Sequence, residues 1–136
     1  MNPTETIEPS TERPAMAIKK VLVVDDSPTE RYFLTELLTK NGFAVTAAES
    51  ADEAISKIRV QIPDLILMDV VMPGQNGFQL TRQLSRDPAT QNVPIIMCTS
   101  KNLQTDRIWG LRQGARDYVT KPIKAEELLE KIAALG

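Results

Sequence analysis

The chain has 136 residues, 42% hydrophobic and 25% charged, with 16 basic side chains against 18 acidic ones and no histidine. Such a length suits one globular domain with a single core, and a nearly balanced charge without a basic tract offers little hold on a phosphate backbone, so nucleic-acid binding is not expected. Without histidine there can be no Ser-His or Cys-His nucleophile pair, no histidine-bearing zinc site and no phosphohistidine made on this chain, so any nucleophile, acid or base comes from Asp, Glu, Lys, Ser, Thr, Tyr or Cys98.

The first 17 residues, MNPTETIEPSTERPAMA, are proline-rich and carry no apolar period, which predicts a flexible tail before a domain spanning 18–136. Glu5, Glu8, Glu12 and Arg13 give this tail the whole net charge of −2. No apolar run approaches the roughly 20 residues of a membrane span, and the start lacks the charged and apolar pattern of a secretory signal. The lone Cys98 excludes an internal disulfide and fits a reducing cytoplasm.

From Lys19 onward, short apolar runs alternate with amphipathic stretches. VLVV (21–24) leads into Asp25 and Asp26. Ser27-Pro28-Thr29-Glu30 then reads as a capping box with proline at the first helical position. Phe33, Leu34, Leu37 and Leu38 form the expected buried stripe, and Asn41-Gly42 ends the helix. FAVTAA (43–48) is a second strand. Ser50-Ala51-Asp52-Glu53 is a second capping box, leading a helix that buries Ala54, Ile55 and Ile58. LILMD (65–69) is a third strand, and after Asn76-Gly77 a helix turns Phe78, Thr81 and Leu84 inward. VPIIMC (93–98) is followed by a fourth helix over about 105–113, with Ile108 and Leu111 beside Trp109, stopped at Gly114. RDYVT (116–120) precedes a fifth helix, 124–135, that buries Leu128, Leu129, Ile132 and Leu135.

Five strands alternating with five helices predict a doubly wound α/β fold with a parallel sheet. Right-handed crossovers favour the flavodoxin-like (βα)5 strand order 2-1-3-4-5. In such a sheet, ligands bind beyond the carboxyl ends of the strands, at the switch in strand order between strands one and three. Asp25 and Asp26 end strand one and Asp69 ends strand three, so three carboxylates converge on one crevice. Like charges this close raise one another's pKa and destabilise the fold unless they are neutralised, and a hard divalent cation such as Mg²⁺ is the natural partner. Strand four adds the hydroxyls of Thr99 and Ser100, and strand five adds Lys121. Three carboxylates, a hydroxyl and an ammonium around one metal suit phosphoryl transfer to a carboxylate.

VDDS (24–27), MDVVMPGQNGF (68–78), CTS (98–100) and DYVTKP (117–122), with 30 residues from Asp69 to Thr99 and 52 to Lys121, carry a resemblance that covers 19–135. The chain resembles a response-regulator receiver domain, of the type of the single-domain chemotaxis regulator CheY. Within that family, DDSPTERYFLTELL (25–38) and IWGLRQGARDYVTKP (108–122) resemble regulators of type IV pilus twitching motility.

The resemblance implies a phosphorelay protein. Asp69 is then the phosphoacceptor. Asp26, Asp69 and the backbone carbonyl of Val71 ligate Mg²⁺, with Asp25 acting mainly through water. Lys121 pairs with the phosphoryl oxygens, and Lys121-Pro122 is a cis bond. Thr99 and Tyr118 form a switch pair that reshapes the face of the fourth helix, fifth strand and fifth helix. The implied phosphodonor is a phosphohistidine on a CheA-like sensor histidine kinase, and the output is binding of a downstream protein by a monomer or weak dimer, with no membrane insertion. The chain is then no enzyme beyond catalysing its own phosphorylation and dephosphorylation. Val71 stands where the chemotaxis regulator has a polar residue, which changes how water reaches the phosphoryl group. A phosphatase of the haloacid-dehalogenase type needs a second aspartate two residues beyond its nucleophile, and neither Asp26 nor Asp69 has one. A receiver-like module that docks without phosphorylation is the remaining alternative.

Overall fold

The computed structural model describes residues 18–72, 75–100, 108 and 111–135. Among these, five strands run Lys20–Val24 (β1), Ala44–Ala48 (β2), Leu65–Asp69 (β3), Ile95–Thr99 (β4) and Asp117–Thr120 (β5). Four helices are Pro28–Lys40 (α1), Ala51–Val60 (α2), Gly77–Arg86 (α3) and Ala125–Leu135 (α4). The expected tail, Trp109 and most of the expected fourth helix lie outside the described residues.

The strands form one parallel sheet in the order β2-β1-β3-β4-β5, the expected 2-1-3-4-5 arrangement. The inner strands β3 and β4 are buried at every residue, whereas edge strand β2 is buried only at Ala48. That contrast follows from position, because a central strand covered on both faces has no solvent side to carry polar residues.

Strand alternation sorts the core into two layers. Val21, Val23, Leu65, Leu67, Ile96, Cys98 and Val119 pack with Leu34 and Leu38 of α1 and with Leu128 and Ile132 of α4. Leu22, Val24, Ile66, Met68, Ile95 and Met97 pack on the other face with Ala51, Ala54 and Ile58 of α2 and with Leu80 and Leu84 of α3.

The helix ends obey the local sequence, with differences. Ser27 accepts the Glu30 N–H and Ser50 accepts the Glu53 N–H, so both serines cap. The return half differs, since the Glu53 carboxylate accepts from the Glu49 N–H and the Glu30 carboxylate faces Lys121. The reciprocal box forms instead at α3, between Asn76 and Gln79. At the end of α1, Phe43 N–H reaches Leu38 O at 3.0 Å and Gly42 N–H reaches Thr39 O at 3.1 Å. This paired closure puts Gly42 at φ 92°, where a side chain would be strained.

Several expected core residues are displaced. Phe33 is 39% exposed, because the buried line of α1 is centred on Leu34 and Leu38 and a residue one step away lies about 100° around the helix. Leu37, Ile55, Phe78, Leu129 and Leu135 are half-buried flanks of their stripes. Leu80, absent from the expected set, is fully buried, while Ile108 and Leu111 are exposed.

Candidate functional site

The crevice is assembled by carrying the strand alternation to the last residue of β3 and one step past β1 and β5. Val23, Leu67 and Val119 all face the α1–α4 layer. Asp25, Asp69 and Lys121 each follow one of them by two residues and so fall on that same side. Contacts agree. The Lys121 Nζ donates to Asp25 Oδ2 at 2.9 Å and to Asp69 Oδ1 at 3.2 Å. It also lies 3.9 Å from Glu30 Oε1, on the first turn of α1.

Asp25 is held on every side. Its N–H donates to Ala48 O at 3.0 Å, and the Arg31 Nη1 donates to its carbonyl oxygen at 2.8 Å. The Ser27 N–H donates to its Oδ1 at 2.9 Å. With Oδ2 on Lys121, both carboxylate oxygens of this residue, only 1% exposed, have donors. Asp26, the next residue, is exposed. Asp25, Asp26 and Asp69 each bring a carboxylate oxygen into one group whose members lie within 4.8 Å of one another. Such an all-oxygen anionic donor set fits a hard divalent cation.

The electrostatics follow from burial and crowding. Burial, reinforced by the charge on Asp25, lifts the Asp69 carboxyl to about 6, although Lys121 pulls the other way. Burial opposes the Lys121 charge, yet its hydrogen bond to Asp25 and the negative charge of Asp69 outweigh it and hold the ammonium above the ordinary lysine value. Burial pushes the neighbouring Cys98 thiol up to about 12, so this cysteine packs as an apolar side chain.

Behind Asp69 the backbone is braced by the start of α3. Gly77 N–H donates to Val70 O at 2.8 Å, and a Cβ at Gly77 would meet Asp69 O at 2.0 Å. Val71 lies in the irregular segment that follows and is 60% exposed. Thr99, 5% exposed, closes β4 and receives the Lys121 N–H on its carbonyl at 2.7 Å. Tyr118 pairs across the sheet with Met97 and packs on the α2–α3 layer. Thr99 shares the parity of Met97 on β4, so Thr99 and Tyr118 stand on the same face of adjacent strands. Lys131 Nζ lies 5.5 Å from the centre of the Tyr118 ring and 3.1 Å from Asp117 Oδ1. The Lys121-Pro122 bond is cis.

The structure thus brings Asp25, Asp26, Asp69 and Lys121 together, with Thr99 at the adjoining strand end. Glu30, Arg31 and Gly77 are additions. The capping-box pattern had assigned the Glu30 side chain to the helix end, while the single available signal for Gly77 was its place just after Asn76.

The family model for the response regulator receiver domain matches residues 21–133. Protein PilH of Pseudomonas aeruginosa is 52% identical over 116 residues, covering 85% of this chain and 96% of PilH. The phosphate regulon transcriptional regulatory protein PhoB of Escherichia coli is 38% identical over 117 residues, and there the match spans 51% of the relative's length. Among solved structures, chemotaxis protein CheY4 of Vibrio cholerae superposes with a TM-score of 0.83 at 30% identity, covering 88% of this chain and 100% of CheY4. A response regulator from Chloroflexus aurantiacus superposes at 0.81 with 34% identity, covering 85% and 98% of the two chains.

Proposed function

The chain belongs to the response-regulator receiver domain family, and from that premise we propose that it is a phosphorelay switch with Asp69 as phosphoacceptor. The observation that carries the reading is the Lys121 ammonium set between two buried carboxylates, 2.9 Å from Asp25 and 3.2 Å from Asp69, beside exposed Asp26.

Asp26, Asp69 and the carbonyl of Val71 would hold a Mg²⁺ ion directly. Asp25 would act through water, in keeping with donors already present on both its carboxylate oxygens. The ion supplies charge neutralisation for the carboxylates and for the transferring phosphoryl oxygens. A carboxylate oxygen of Asp69 attacks phosphorus on a phosphohistidine of a CheA-like sensor kinase. The new P–O bond forms as the P–N bond breaks, its electron pair staying on the imidazole nitrogen. Lys121 moves its hydrogen bonds from Asp69 to the phosphoryl oxygens, neutralising part of the added charge.

Thr99 then bonds the phosphoryl group, and Tyr118 turns into the space vacated on their shared sheet face. Tyr118 and Asp117 of β5 and Lys131 of α4 belong to the surface that changes, and a downstream protein reads it. The chain catalyses only its own phosphorylation and dephosphorylation and works in the cytoplasm as a monomer or weak dimer. Its likeness to PilH and the stretches 25–38 and 108–122 support a place in pilus-motility signalling.

Intact-mass measurement after incubation with acetyl phosphate tests the reading. One phosphoryl group per chain is expected with Mg²⁺ present and none after chelation. Labelling that ignores the metal would overturn it.

A further inference from the structure

Asp25, Asp69 and Glu30, three carboxylates, lie within 4 Å of the single ammonium described in the crevice, and Glu30 has no part in the proposed phosphoryl chemistry. Glu30 sits on the first turn of α1, its side chain 25% exposed and its Oε1 3.9 Å from Lys121 Nζ. Its backbone N–H is taken by Ser27 Oγ, but its carboxylate does not make the reciprocal bond that Gln79 makes to Asn76 at α3. The neighbouring Arg31 does not offset this charge, since its guanidinium is turned to the Asp25 carbonyl at 2.8 Å and to Glu49 at 3.7 Å. Glu30 therefore stands at the edge of the crevice, beside the cation that an incoming phosphoryl group must engage.

We propose that Glu30 is a specificity-determining residue that discriminates among phosphodonors by charge, holding back small, highly anionic donors at the Lys121 side of the crevice. The inference rests on Asp69 being the phosphoacceptor. A carboxylate so near Lys121 partly cancels the attraction between that ammonium and a donor's oxygens, and it repels the donor's charge directly. The penalty grows with the donor's charge and shrinks with salt. A donor docked by a protein surface gains contacts elsewhere and is less affected.

Acetyl phosphate, a dianion at neutral pH, and phosphoramidate, a monoanion, separate charge from other effects. In the first reaction the P–O bond to the acetyl group breaks and acetate leaves with the electron pair. In the second the P–N bond breaks, and the departing nitrogen carries its proton away as ammonia. Both form the same bond to Asp69. Glu30→Gln should speed labelling by acetyl phosphate about 3- to 10-fold at low salt, through a lower KM, and labelling by phosphoramidate by clearly less. The advantage over wild type should fade as ionic strength rises, and Glu30→Lys should be faster still with acetyl phosphate. Equal acceleration with both donors, or a salt-independent one, would assign Glu30 a structural role and overturn the inference, as would unchanged rates. Glu30→Asp, which keeps the charge, should stay near wild type, and its matching Glu30→Gln would count against the inference. Absence of labelling in wild type would instead remove the phosphoacceptor reading, and this inference with it.

Discussion

The first residue of α3 touches the backbone of the proposed phosphoacceptor so closely that a Cβ on Gly77 would lie 2.0 Å from the Asp69 carbonyl oxygen. It would also lie 3.0 Å from the Val70 Cα, and the Gly77 N–H already bonds Val70 O. The obstacles are backbone atoms, so relief requires moving either α3 or the segment that begins with Asp69.

Gly77→Ala should therefore destabilise the fold by about 2 kcal/mol or more, as overpacking against backbone does. Because the shift falls on Asp69 and the Val71 segment, metal-dependent labelling should drop more than a comparable loss of stability would explain. Urea unfolding and labelling rates measured well below the unfolding midpoint check this. A variant of wild-type stability and rate would show that the contact is relieved elsewhere.

The raised pKa of Asp69 makes stability depend on pH in a defined direction. Its carboxyl moves from 3.8 to about 6 on folding, so the folded chain binds this proton more tightly than the unfolded one. The contribution is complete below about pH 4 and is lost as pH rises through 6, up to about 3 kcal/mol in all. Asp69→Asn removes the titration while keeping the shape. Relative to wild type, the variant should gain stability between pH 4 and pH 7, and Mg²⁺ should narrow the gap at pH 7 by stabilising only wild type. Urea midpoints at the two pH values, with and without Mg²⁺, give the answer. A pH-independent difference between the two proteins would contradict the assigned cause.

Much of this site was legible because strand ends in a parallel sheet are ordered by topology. Once five runs and their order were read, Asp25, Asp26, Asp69, Thr99 and Lys121 had to meet at one edge, and the four acidic and basic groups do. Glu30 escaped because the capping-box pattern sends its carboxylate to the helix end, whereas the charge of Lys121, 91 positions away in sequence, draws it to the crevice. Gly77 escaped because a close backbone approach leaves no trace in hydropathy. Phe33 was misassigned for a related reason. A run of four apolar positions does not say which two lie at the centre of the buried stripe, and the sheet chose Leu34 and Leu38.

Thr99 and Tyr118 occupy the same sheet face on neighbouring strands, which predicts separable effects on chemistry and on output. Thr99→Ala should still take a phosphoryl group at Asp69. The emission change of the sole tryptophan, Trp109, on adding beryllofluoride and Mg²⁺ should fall to less than about half of wild type. Thr99→Ser, which restores the hydroxyl, should recover most of it. A full wild-type emission change in Thr99→Ala, at matched site occupancy, would route the signal around this residue.

The central claim is that Asp69 carries the phosphoryl group, and trapping it in place is the most direct test. Wild-type protein would be treated with acetyl phosphate and Mg²⁺, reduced with borohydride, digested and sequenced by mass spectrometry. An acyl phosphate reduces to an alcohol, so residue 69 should be read as homoserine in wild type, with no such product in Asp69→Asn and none at Asp25 or Asp26. Homoserine at either of those two aspartates, or a product that persists in Asp69→Asn, would contradict the account.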